Sequence, residues 1–385
     1  MAGRRGSRDV LKLFHERYRK AKGLEKTRVL DEFCDATGYH RKYAITLLNR
    51  PWEQLKTARP RRRGPSYSAH AIRVIEHIWK TAGYPWSERL KALLPRWLPW
   101  AHKHLGKIPP DVEREILSIS PRQIDRRLQP KKRQLGRRLY GHTKPGTLLK
   151  HQIPIKTDNW DIHEPGFAEI DLVSHSGPCA SGEFIYSLNL TDIHTGWGET
   201  RAVIGKGETG VVDALDEIRR ALPFRLKGID SDNGSEFINH HLVRYCKKHQ
   251  VQFTRGRPYK KDDNAHVEQK NWTHVRKLFG WDRYDSPAVL EAMNELYRHE
   301  LPAMMNQFQP SVKLASKERI GSRVRRRYDA PQTPLDRLVG YYEEGKVPLP
   351  LRRLVQQRDR QDPFSLSESI EVQLVAIEQQ RRDGH

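Results

Sequence analysis

The sequence predicts a multidomain protein in which basic helical units precede an α/β layer domain. Three observations predict it. Apolar residues recur at helical spacing through the first 150 residues, between Arg-, Pro- and Gly-rich stretches. From residue 167 three β-branched and aromatic runs follow one another, after which helical and strand-like segments alternate. Lys and Arg number 70 against 47 Asp and Glu, a formal net charge of +23.

That charge points to a polyanionic partner, with nucleic acid ahead of an anionic membrane. The 385 residues suffice for two or three domains. No apolar run reaches the ~18 residues of a membrane span, and the N-terminus lacks the apolar core of a secretory signal. A soluble intracellular protein is expected. Cys34, Cys179 and Cys246 are odd in number, far apart and outside any CxxC pair. They support neither a disulfide framework nor a structural zinc site.

In "VLDEFCDATGYHRKYAITLLN" the apolar positions Val29, Leu30, Phe33, Ala44, Leu47 and Leu48 frame a Thr37-Gly38 break. The pattern fits a helix-turn-helix whose second helix begins near His40. Arg41, Lys42 and Tyr43 then sit where such a helix reaches base edges and phosphates. A plain helical hairpin with a solvated basic face fits the same pattern. The linker "RPRRRGPSYS" carries Arg61, Arg62 and Arg63, whose charge suits a phosphate backbone or minor groove. In "LSISPRQIDRRLQ", Ser120 suits an N-cap and Pro121 the first helical position. Ile124 and Leu128 face inward there, leaving Arg122, Gln123 and Arg126 outward as a second candidate recognition surface.

Strands are expected over 167–173, 184–193 and 199–204, then a helix over "TGVVDALDEIRRAL" and a strand over "FRLKGI". "SDNGSEF" is a tight turn into a helix with Ser235 as candidate N-cap, followed by a "VQFT" strand and a further helix. Residues 319–334 are basic and loop-like or part of a small β module, and the tail from Pro334 reads as helical.

Three acids occupy unusual settings. Asp171 lies inside the apolar strand "FAEIDLV", and Asp232 ends a strand at the Asn-Gly turn. Glu268 lies on a helix with Trp272, Val275 and Phe279 at i+4, i+7 and i+11, a stripe that should point it inward toward a cation. Magnesium suits such a cluster, since it prefers carboxylate oxygens and keeps waters and substrate phosphates. Two ions about 4 Å apart would serve in-line displacement at phosphorus. Glu169 and Asp230 share strand faces with Asp171 and Asp232; Glu169 reads as a structural or supporting acid. Asp192 suits an Asx-turn, and His175 and His266 stay unassigned.

Thirty-five residues separate Asp232 from Glu268. With "EIDLV", "SDNGSEF" and "RPYKKDDNAHVEQKN", this spacing resembles the integrase core of bacterial insertion-sequence DDE transposases and retroviral integrases. The resemblance implies an RNase H-like fold, a mixed five-stranded sheet with flanking helices. It makes Asp171, Asp232 and Glu268 the catalytic, metal-binding triad for two Mg²⁺ ions, with Mn²⁺ as substitute. It selects Asp232 over Asp230, which becomes a supporting or surface acid. Tyr259, Lys260 and Lys261 fall in the family's active-site loop and would position a DNA end. Lys270 and Arg276 are phosphate-contact candidates, and Asn271 would orient Glu268 or touch DNA.

The expected organisation is a helix-turn-helix DNA-binding domain at 1–58, a basic linker at 59–68 and a second such domain at 69–129. A basic linker at 130–154 leads to a catalytic core at 155–310 and a basic, helical C-terminal region at 311–385. The expected function is a transposase that binds terminal inverted repeats, cleaves 3′ ends and transfers the strands into target DNA. The resemblance further implies double-stranded DNA as partner, a homo-oligomer on paired ends, no small-molecule substrate and no membrane. It also implies a cytoplasmic, nucleoid-associated site of action in bacteria. A silent DNA-binding regulator of transposase origin and a structure-selective RNase H-fold nuclease are the competing readings.

Overall fold

A computed structural model describes residues 6–52, 67–135, 162–231, 240–255, 265–320 and 323–383. The chain divides into two compact units, Met1–Ser66 and Tyr67–His385.

Among the described residues the first unit holds three helices, α1 (Gly6–Lys20), α2 (Gly23–Thr37) and α3 (Arg41–Asn49). Tyr18, Val29, Leu30, Phe33, Ala44 and Leu48 form its core. The expected break is present. Gly38 adopts φ +70° and donates its N–H to the Cys34 carbonyl, ending α2. His40 then caps α3 by accepting from the Lys42 N–H at 3.3 Å.

The second unit opens with α4 (Ala69–Thr81), α5 (Ser87–Leu105), α6 (Pro110–Ser118) and α7 (Pro121–Leu135). Ile124 and Leu128 are buried on α7, as their spacing requires. A five-stranded sheet follows: β1 (Phe167–Ser174), β2 (Ile185–Asp192), β3 (Gly198–Ile204), β4 (Gly228–Ser231) and β5 (Gln252–Arg255). Its order is β3-β2-β1-β4-β5. The first three strands are antiparallel neighbours, while β4 and β5 run parallel to β1. This mixed order with flanking helices is the RNase H-like architecture. The fourth strand lies further along than "FRLKGI" suggests, because Phe224 and Leu226 pack as loop residues against the core while Ile229 takes the inward strand position.

One sheet face is apolar. Ala168, Ile170, Leu188, Leu190 and Ile229 pack there against α8 (Glu208–Ala221) and α9 (His240–His249). The helix α10 (Ala265–Lys270) continues as a π-helical turn, Asn271–Arg276, and a last α-helical turn, Lys277–Phe279. Beyond it come α11 (Pro287–Arg298), α12 (Glu300–Ala303), a π-helical turn Met304–Phe308, and a basic two-stranded ribbon of β6 (Leu314–Ile320) and β7 (Arg323–Tyr328). The helices α13 (Pro334–Gly340), α14 (Leu349–Arg360) and α15 (Pro363–Asp383) form the expected helical tail.

The segment 69–129, expected as a module of its own, shares one compact unit with the sheet. Ile75, Leu94, Trp97 and Ile124 belong to the same buried cluster as Val173, Ala202, Val275, Met293 and Phe364. At the sheet edge, the Asn294 carboxamide donates to the Ala202 carbonyl at 3.0 Å and accepts from its N–H at 2.8 Å. Asn306 repeats the arrangement on Gly198, both bonds at 2.9 Å. Among the described residues no helix is long and apolar enough to cross a membrane.

Candidate active site

The opposite sheet face is polar by alternation. In β1, Glu169 and Asp171 alternate with Ala168, Ile170 and Leu172; in β2, Ser187, Asn189 and Thr191 alternate with Leu188 and Leu190. Neighbouring strands carry the pattern on. Asp171 lies opposite Asn189, and Glu169 lies opposite Asp230 on β4. Glu169, Asn189, Thr200 and Asp230 are all buried, so each needs hydrogen bonds in place of water.

Those bonds fasten α10 to the sheet. Glu169 accepts from the Val267 N–H at 2.9 Å, placing a carboxylate at the helix N-terminus, where unsatisfied N–H groups favour negative charge. One turn on, Asn271 donates to Asp171 Oδ2 at 2.6 Å and accepts from Asn189 Nδ2 at 2.9 Å. Thr200 donates to Asn189 Oδ1 at 3.4 Å. Asp171 Oδ1 also accepts from the Leu172 N–H at 2.8 Å. The half-buried Asp171 is thus tied to the helix that carries Glu268.

Glu268 is exposed, which corrects the expected inward stripe. The buried side of this helix runs through Val267, His274, Val275 and Phe279, while Trp272 is 47% exposed. The physical cause is the π-helical turn. Its wider i→i+5 bonding lets two successive residues, His274 and Val275, face the core and moves Trp272 outward. Glu268 makes no hydrogen bond or ion pair among the described residues, as suits an acid that opens onto solvent.

Asp232 lies outside the described residues, as do Arg61, Arg62, Arg63, Ser235, Tyr259, Lys260 and Lys261. Among the described residues no group of three His, Cys, Asp or Glu could hold a metal ion. Two members of the expected triad are nonetheless brought to neighbouring elements. Asp171 accepts the orienting Asn271 amide at Oδ2, and Glu268 is open. Hard carboxylate oxygens with room for water fit a magnesium ion better than a closed, all-protein cage does.

The remaining acids have other duties. Asp230 is wholly buried and accepts from Thr254 Oγ1 at 2.7 Å, so it is not a surface acid. Asp192 accepts from the Thr195 N–H and Oγ1 at 2.7 and 2.6 Å, the expected Asx-turn. Its second oxygen accepts from the Gly166 N–H at 2.8 Å. Burial pushes the Asp192 carboxyl up, against the pull of these bonds and Lys313.

Of the candidate DNA contacts, Arg41, Lys42 and Tyr43 are exposed on α3, with Arg41 paired to Asp31. Arg122 and Arg126 are exposed on α7, and Gln123 is half-buried. Lys270 is half-buried; desolvation, with Arg89 and Arg337 nearby, pulls its ammonium down to about 7. Arg276 places its guanidinium 3.9 Å from the Trp281 ring centroid and donates to the Gly280 carbonyl at 3.3 Å. His175 is buried in the core, its Nε2 2.8 Å from Ser187 Oγ. Sequence reasoning missed Asn189 and Thr200; the polar alternation of "YSLNLTD" carried the signal for Asn189.

A family model described as an integrase core domain matches residues 163–261. A protein of Sinorhizobium fredii (strain NBRC 101917 / NGR234), described as uncharacterized protein y4rM, is 36% identical over 335 residues. That match spans 86% of this chain and 94% of that protein. Among solved structures, the HTLV-2 integrase catalytic core domain in complex with magnesium is 13% identical with a TM-score of 0.29, covering 38% of this chain and 90% of that one. The catalytic core domain of BIV integrase is 16% identical with a TM-score of 0.29, covering 44% and 91%. The chain therefore belongs to one family with y4rM, and within it residues 163–261 form an integrase core domain.

Proposed function

We propose that this chain is a DNA transposase. It binds the terminal inverted repeats of its own element, cleaves the 3′ ends and joins them to target DNA. The observation that carries the proposal is the 2.6 Å bond from Asn271 to Asp171, which ties a central-strand acid to the turn that bears Glu268. The integrase-core match over 163–261 brackets Asp171 and Asp232 and so supports the same reading.

Asp171 and Glu268, with Asp232, are the residues to hold Mg²⁺ or Mn²⁺. Bound there, the ions supply Lewis-acid polarisation of the phosphodiester and its attacking oxygen. The chain's own residues do the rest. Glu169 and Asn271 fix the helix against β1, so the carboxylates are preorganised before DNA arrives. Asn271 holds Asp171 in one orientation through one of its two oxygens. Arg41, Lys42 and Tyr43 on α3, and Arg122, Gln123 and Arg126 on α7, supply duplex contacts. Lys270, whose ammonium burial holds down to about 7, takes up its full charge when a phosphate settles beside it. The working form is a homo-oligomer on paired DNA ends.

The test is nicking of duplexes that carry the DNA flanking the gene, with Mg²⁺ present. Wild type should nick at the element boundary. Asp171→Asn, Asp232→Asn and Glu268→Gln should each lose more than about 100-fold, beyond the usual loss for an outer-shell partner, while still binding the duplex. Wild-type protein that never cuts those boundaries in a metal-dependent way would falsify the assignment.

A further inference from the structure

We infer that Trp272, Arg276 and Trp281 form a ridge that holds unpaired DNA bases beside the acidic site. The inference rests on the transposase reading and adds to it the form of DNA that the site receives.

The argument begins from exposure. Trp272 and Trp281 are each 47% exposed, and the Trp272 side chain makes no hydrogen bond or ring contact among the described residues. About half of each indole is left for a partner to cover, and a tryptophan gains much from such cover. The position of Trp272 narrows what that partner is. Trp272 follows Asn271, the residue bonded to Asp171, and stands four residues after Glu268. The next residue of the same ridge, Arg276, is held by the π-helical turn, whose wide spacing sets residues four and five apart nearly one above the other. Its guanidinium lies 3.9 Å from the Trp281 ring centroid, so its place is fixed before any ligand binds. The order along the ridge is acid, aromatic, cation, aromatic.

That alternation matches a nucleic-acid strand, in which flat bases alternate with phosphates. Aromatic platforms beside cations are how proteins grip single strands. Paired bases inside a duplex have both faces stacked and offer nothing to Trp272, so the occupant is unpaired or splayed. The net charge of +23 favours DNA over a second copy of this equally basic chain.

The test uses the full chain in EDTA, so that binding is read without cleavage. The probes are fluorescein-labelled oligothymidine of about 20 nucleotides and a blunt duplex of similar length. Trp272→Ala should weaken oligothymidine binding by about 5- to 100-fold and leave duplex affinity within about twofold. Trp272→Phe should keep most of the single-strand affinity, and oligothymidine should quench tryptophan fluorescence of wild type more than of Trp272→Ala. Unchanged oligothymidine binding by Trp272→Ala overturns the inference. So does an equal loss on both probes, or a Trp272→Ala protein that sediments as a smaller assembly, which would mark the ridge as a contact between copies. Because the assay needs no metal, its failure leaves the nicking result standing, and the reverse also holds.

Discussion

Asn271 spends one carboxamide on two partners. Its amide steadies Asp171, and its carbonyl anchors to Asn189 in the middle of β2. Asn271→Ala leaves both partners short of a bond in a half-buried setting, at about 1–3 kcal/mol of local cost. The larger consequence is kinetic. Single-turnover cleavage should fall about 10–100-fold, the usual loss when a group that orients a metal ligand is removed, while end-DNA affinity stays within about twofold. Cleavage by Asn271→Ala at the wild-type rate would remove the residue from the site. At this scale the sequence was readable where a residue broke its local pattern. Asp171 stands out in an apolar strand, whereas Asn271, expected to orient Glu268 or touch DNA, bonds Asp171 and Asn189 instead. Trp272 was not readable, because helical periodicity assumes a constant pitch and the π-helical turn changes it.

The strands and helices owe their positions to a few fixed joints, of which Gly166 is the tightest. It precedes β1, adopts φ +116°, and receives bonds at its carbonyl from the Lys227 and Gly228 N–H groups at 2.7 and 3.1 Å. A Cβ there would lie 2.5 Å from the Arg225 carbonyl oxygen, a backbone atom that has no room to yield. Gly166→Ala should therefore cost about 1–3 kcal/mol or more from backbone strain alone, read as a lower denaturation midpoint with an unchanged m-value. A melt equal to wild type would mean that the joint relaxes freely. Element identity was largely legible here, since strands β1 to β3 and helices α2, α3 and α7 lie close to their expected places. The fourth strand was displaced because "FRLKGI" is apolar enough to read as a strand, while its first residues pack as loop.

For the molecule as a whole, the sequence concealed how far the core extends. On α5, Leu90, Leu93, Leu94, Trp97, Leu98 and Ala101 are all buried, a stripe wider than two packed helices need. Its extra breadth meets α15: Phe364 lies edge-on to Trp97 at 5.1 Å and stacks with His104 at 4.8 Å. Such a contact between residues so distant in the chain leaves no periodic trace. Phe364→Ala should cost about 3–5 kcal/mol in chemical denaturation, with unit Tyr67–His385 losing stability and the helices of Met1–Ser66 keeping theirs. An effect below about 1 kcal/mol would show that α15 is an appendage and not a wall of the core. The same closed construction governs the outer border of β3. Two asparagines there imitate a sixth strand, meeting the main-chain groups of Ala202 and Gly198 with their amides. An incoming strand finds no vacant rungs at Gly198 and Ala202, so the pleated layer is closed to lengthening at that border.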